Sequence, residues 1–121
     1  MDMRIAFHHQ RGLVVAQIMG DVGVMAAHHL RTLLSRSLSL STRGLVIDLT
    51  RVELLDPAGL AVLVGLSRSA TMHHKSMTVI AGPRLRRMLH AGHPELAAEG
   101  RVVSRALPSP YGQRAGRLGS A

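Results

Sequence analysis

The sequence predicts an α/β domain: a mixed β-sheet with helices packed on it. Three observations lead there. Residues 44–49 (GLVIDL) have the β-branched, near-continuous apolar character of a strand covered on both sides. Asp56-Pro57-Ala58-Gly59 then opens a helical run. Elsewhere apolar positions switch between strand and helix periods, and the later strands are joined by helices long enough for right-handed crossovers.

The elements follow in order. Ile5 to Phe7 and Leu13 to Met19 are apolar runs separated by the polar segment HHQRG, the pattern of a β-hairpin with Gly12 in or beside its turn. From Asp21 to Leu38, the apolar residues Val22, Ala26, Leu30, Leu33, Leu34 and Leu38 recur at helical steps, predicting an amphipathic helix of about four to five turns. Ser39 to Arg43 is a polar connector to the strand over 44–49, which is expected to be central. A turn leads to the second helix, Pro57 to about Met72, which is apolar on most faces and has Gly65 inside. Such a helix is either deeply buried or partly exposed for a partner. Helical spacing assigns Leu60, Leu63 and Val64 to the core and leaves Val62 and Leu66 as an exposed patch. Ser76 to Ala81 is the next strand, and Gly82-Pro83 starts a short helix over Arg84 to Ala91. Its Leu85, Met88 and Leu89 are expected to face inward before Gly92 ends it. Arg101 to Ser104 reads as a last short strand. The domain is therefore assigned to residues 1–104, and 105–121, rich in Pro, Gly, Ser and Ala, is expected to be a mobile tail.

Composition narrows the class. A chain of 121 residues is long enough to bury a core without staples. Apolar residues are 46% of the sequence and aromatics 2%, so the core is built from Leu, Val, Ile, Met and Ala. The absence of cysteine excludes disulfides, a thiolate nucleophile and thiolate metal ligation. No signal-peptide core is visible, and no apolar stretch approaches the ~20 residues of a membrane helix. The expectation is a soluble, unexported, cytoplasmic protein. The formal charge is +8, but residues 84–121 carry seven basic and two acidic side chains, so much of the excess sits in one short helix and the tail. All basic residues except Lys75 are arginine, a bias that genome composition produces as readily as phosphate recognition does. Without stacking aromatics or a duplex-reading motif, direct nucleic-acid binding is not expected.

The junction before the second helix carries the most local information. The Asp56 carboxylate can accept from the orphan N–H groups of the first turn, and Pro57 fits a position that needs no N–H. The helix start is thereby set at a strand's C-terminal end, where ligands and partners of α/β folds usually dock. Asp56 can be a structural cap alone, or a cap that also meets a partner.

The segments GLVIDLTRVELLDPAGLAVLVGL and MTVIAGPRLRRMLHAG resemble the STAS domain of bacterial anti-sigma-factor antagonists, over roughly residues 5–104. The shared pattern is a strand ending in Asp-Leu-Ser/Thr, then Asp-Ser-Ser/Thr-Gly-Leu at a helix start. Here it reads Asp48-Leu49-Thr50 and Asp56-Pro57-Ala58-Gly59-Leu60, and Gly20-Asp21 is similar to an upstream acidic motif of the family. The resemblance implies a non-enzymatic protein that binds an anti-sigma factor of the serine-kinase type, or a related GHKL-type kinase domain, in a partner-switching pathway and so frees a sigma factor. The binding residues it implies are Asp21, Asp56, Pro57, Ala58, Gly59 and Leu60, joined by Val62 and Leu66 of the second helix. In the family a hydroxyl two residues after the capping Asp is phosphorylated, adding about 1.5 to 2 negative charges and breaking the complex. That position is Ala58, and the preceding Ser is replaced by Pro57, so no phosphorylation is expected there. Of the other hydroxyls, Thr50 follows the strand while Ser67 and Ser69 lie more than a turn into the helix, and none is expected to substitute.

A related role remains open: the STAS subunit of a lipid-transport ABC system, or a signalling scaffold. An enzymatic or nucleotide-binding domain has no support, since no GxxxxGK[ST] or GxGxxG loop and no nucleophile elbow occurs. No catalytic residue and no cofactor is assigned. Six of the eight histidines fall in adjacent pairs, His8-His9, His28-His29 and His73-His74, whose members point to different faces, and His90 and His93 are separated by the helix-ending Gly92; no metal site is expected. Arg84, Arg86 and Arg87 form a solvated face or meet an acidic partner.

Overall fold

The computed structural model describes residues 2–92, Leu96 and 102–104. Strands β1 (Arg4–Gln10) and β2 (Leu13–Val22) form the antiparallel hairpin. Arg11 and Gly12 both have positive φ, 52° and 82°, as a tight two-residue hairpin turn requires. The Gly12 carbonyl accepts from the Arg43 amide at 2.9 Å, and Arg43 Nη1 donates to the Arg11 carbonyl at 3.0 Å. A Cβ on Gly12 would collide with the Thr42 hydroxyl, so this turn is held against the loop that feeds the next strand.

Helix α1 spans Val24–Leu40 and buries Ala27, Leu30, Leu34 and Leu38 along one stripe. Lys75 Nζ donates to the carbonyls of Leu38 and Ser39 at 2.8 and 3.2 Å, placing a cation on the negative end of that helix. Strand β3 (Gly44–Leu55), helix α2 (Pro57–Met72), strand β4 (Ser76–Ala81), helix α3 (Pro83–Gly92) and strand β5 (Val102–Ser104) follow. The sheet order is β1-β2-β3-β4-β5, with β2 through β5 parallel. The sheet is therefore mixed, and the parallel strand β3 is its centre, as expected from sequence.

One face of the sheet carries the main core. Val14, Ala16 and Ile18 of β2, Leu45, Ile47 and Leu49 of β3, and Met77, Val79 and Ala81 of β4 alternate toward the helices. They pack with Leu30 and Leu34 of α1, Leu63 and Leu66 of α2, and Leu89 of α3. Leu13, Val15, Val46 and Ile80, of opposite alternation, form a smaller buried cluster on the other face.

Several expectations are corrected. Asp21 and Val22 belong to β2 and not to α1, which starts at Val24 behind Gly23. Strand β3 runs on through Leu55 instead of turning after Leu49. Both differences have one cause: β2 and β3 keep pairing through Asp21–Leu54 and Val22–Leu55 despite register shifts between Gln17 and Met19 and between Gly20 and Asp21. On α2 the buried stripe is Gly59, Val62, Leu63, Leu66, Ser67 and Ala70, so Val62 and Leu66, at 8% and 3% exposure, are not an exposed patch. Leu60 and Val64 only flank the core. Helix α3 buries Leu89 with Leu85 half-buried, but Met88 is exposed. The expected mobile tail at 105–121 lies outside the described residues, as do His93 and Arg101.

Candidate functional site

The extended pairing of β2 and β3 brings Asp21 and Asp56 to the same end of the sheet. Asp21 stands opposite Leu54 and Val22 opposite Leu55, and the Asp56 amide donates to the Val22 carbonyl at 2.9 Å. Asp56 then caps α2: its Oδ1 accepts from the Ala58 amide at 2.8 Å, and its carbonyl accepts from the Leu60 amide at 3.1 Å. Pro57 occupies the first helical position and needs no partner for its nitrogen. Both carboxylates are half-buried.

The Asp48-Leu49-Thr50 segment has its own local geometry. Asp48 Oδ1 accepts from the Thr50 amide at 2.9 Å and from the Thr50 hydroxyl at 2.6 Å. That carboxylate thus holds the strand and the threonine, whose hydroxyl is half-buried and engaged. Ser67, another hydroxyl considered in the sequence, is buried.

The remaining candidate residues divide by position. Pro57 is exposed, while Ala58 and Leu60 are half-buried. Gly59 is buried, and a Cβ there would come within 2.6 Å of Leu55 Cδ1 and 3.0 Å of Val22 Cγ1. Its role is to let the first turn of α2 approach the strand ends, so it supports the surface from beneath.

Beside this junction lies a feature that sequence reasoning missed. A groove of about 620 Å³ runs between α1 and α2, and Ala58 lines it at the end of α2 that Asp56 caps. Its apolar lining includes Ala27, Val62 and Leu66, which gives the latter two a place at the surface although they are largely buried. His28, Arg31 and Ser35 line it from α1. Near the same end of the fold, Val24, Met25 and Leu54 are 65%, 87% and 65% exposed. The signal available in the sequence was the row of small residues Ala58, Ala61, Gly65 and Ser69, spaced by three and four. Among the described residues no group of three or more His, Cys, Asp or Glu could hold a metal ion, and no helix is long and apolar enough to cross a membrane.

This arrangement, a strand end running into an Asp-capped helix on a β1-β2-β3-β4-β5 sheet, can be set against known families. The family model described as "Mlab, STAS domain" matches residues 5–104. The chain belongs to the STAS domain family. No curated protein sequence gives a significant match. Solved STAS structures agree with the fold. An anti-sigma factor antagonist from Mycobacterium paratuberculosis is 25% identical with a TM-score of 0.60, over 78% of this chain and 80% of that one. The Bacillus cell fate determinant SpoIIAA in its phosphorylated form is 13% identical with a TM-score of 0.70, over 95% and 99%. The anti-sigma factor antagonist SpoIIAA in its unphosphorylated form is 14% identical with a TM-score of 0.65, over 98% and 100%. Within the STAS frame, the junction at residues 56–60 and the groove beside it form the candidate partner-binding surface.

Proposed function

We propose that this STAS domain is a cytoplasmic anti-sigma-factor antagonist, binding an anti-sigma factor of the serine-kinase type through Asp21, Asp56 to Leu60 and the adjoining face of α2. The observation that carries this reading is the junction itself: an Asp-capped helix start presented at a strand end, in a chain 25% identical to an anti-sigma factor antagonist. Ala58 stands where the family resemblance places the phosphorylated hydroxyl, and its methyl cannot accept a phosphoryl group. The protein would therefore stay competent to bind when a phosphorylatable relative is switched off. No step of this role requires catalysis by the STAS domain.

A second reading is the STAS subunit of a lipid-transport ABC system, a role that membership of the STAS domain family leaves open. One experiment separates the two. The full chain is used as bait in native extract, with Ala58→Asp in parallel and the captured proteins identified by mass spectrometry. A serine-kinase-type anti-sigma factor captured by the natural chain alone supports the antagonist. A transport ATPase moves the assignment to the second reading, and equal capture of an anti-sigma factor by Ala58→Asp removes Ala58 from the interface.

A further inference from the structure

Gly65 sits in the middle of α2 with ordinary helical backbone, and a Cβ built on it meets nothing within 4 Å. A glycine inside a helix costs about 1 kcal/mol relative to alanine. At Gly59 that cost has a reason inside the molecule, because Leu55 and Val22 crowd the position. At Gly65 the folded chain supplies none. What Gly65 does face is the α1–α2 groove, which it lines together with Ala58, Ala61 and Ser69.

We infer that this groove seats one face of a short amphipathic helix of the binding partner, with a partner carboxylate set against Arg31 and His28, and that Gly65 keeps the groove open for it. The inference rests on the reading of the chain as a protein-binding STAS domain. Dimensions define the occupant. The lining positions on α2 run from Ala58 to Ser69 and those on α1 from Val24 to Ser35, each set covering about three turns, or ~16 Å. A partner helix of about three turns laid along the groove matches that length and meets the small residues Ala58, Ala61 and Gly65 on the α2 side.

Charge completes the match. Arg31 and His28 line the groove and are exposed, and no carboxylate lines it. An acidic side chain on the incoming helix meets a cation already in place, whereas a basic one is repelled. The floor of Ala27, Val62 and Leu66 takes the apolar residues, and exposed Val24 extends the apolar contact at the end nearest Asp56. The groove is continuous with the proposed interface through Ala58.

The test uses the isotope-labelled full chain and a stapled three-turn peptide helix with leucines at i, i+4 and i+7 flanked by glutamates, against a control with lysines for the glutamates. The glutamate peptide is expected to shift the amide signals of Arg31, Ala61 and Gly65 saturably, and the lysine peptide to bind about tenfold or more weakly. Arg31→Glu should reverse that preference. Gly65→Leu should abolish binding while leaving the fold intact, since the added side chain points into open space. Absence of saturable shifts at the groove, equal affinity for both peptides, or unchanged binding by Gly65→Leu overturns the inference. Failure of the functional reading is distinguishable. If an identified anti-sigma factor binds the natural chain, is lost with Ala58→Asp and is retained by Gly65→Leu, the groove inference falls and the antagonist reading stands. If the glutamate peptide binds and the captured partner is a transport ATPase, the reverse holds.

Discussion

The amide of Asp56 donates to the carbonyl of Val22 at 2.9 Å, which ties the start of α2 directly to the last residue of β2. One residue thus serves two elements: its amide closes the end of the sheet while its carboxylate caps the helix at Ala58. These two bonds hold the helix N-terminus at the sheet's end, beside Asp21 and Leu54.

Removing the Asp56 carboxylate tests the cap separately from the interface. Asp56→Ala should lower stability by about 1 kcal/mol, read as a shift in urea midpoint, because the Ala58 amide loses its acceptor. Asp56→Asn keeps an acceptor oxygen and should cost only a fraction of that. A loss of partner affinity common to both variants would assign the charge, and not the cap, to binding.

Ala58→Asp should leave the melting temperature unchanged or slightly raised, since a negative charge in the first turn of a helix is favoured by about 0.3 to 1 kcal/mol. Partner affinity, followed by calorimetry, should fall at the same time. If the proposed function holds, Ala58→Ser should fold normally and, incubated with a serine-kinase-type anti-sigma factor and labelled ATP, acquire phosphate that the natural chain does not take up.

Gly59→Ala should be destabilising by about 1 to 3 kcal/mol in chemical denaturation, because the new methyl must displace Leu55 and Val22 in a packed region. Gly65→Ala, six residues along the same helix, should raise stability by about 1 kcal/mol, because its methyl enters open space and the helix gains propensity. Opposite signs at two glycines of one helix would separate a glycine required by the fold from one the fold does not require.

Thr50→Val should cost about 0.5 to 1.5 kcal/mol through loss of the hydroxyl bond to Asp48. Thermal denaturation reads the stability change. Because the hydroxyl is engaged by that carboxylate, phosphate uptake in a kinase assay should be the same for Thr50→Val as for the natural chain.

Local interactions were legible without coordinates. Asp56 and Pro57 specify the helix start from residues next to one another, and the structure places the cap there. The hairpin at Gly12 and the strand over Ser76–Ala81 follow in the same way from turn chemistry and a short apolar run. The burial of Val62 and Leu66 was not legible, because α2 is apolar on most faces and its periodicity alone does not choose the stripe that meets the sheet.

The sequence by itself determined the α/β class, the order of elements and the helix start at Asp56, since each depends on neighbouring residues or on short local patterns. Only the tertiary structure decided that Asp21 lies on a strand, that β3 reaches Leu55, and that Gly65 opens onto a groove. Strand ends are set by pairing between segments more than 30 residues apart, such as Asp21 with Leu54. A groove exists only once two helices have been laid side by side, and no window of sequence contains both.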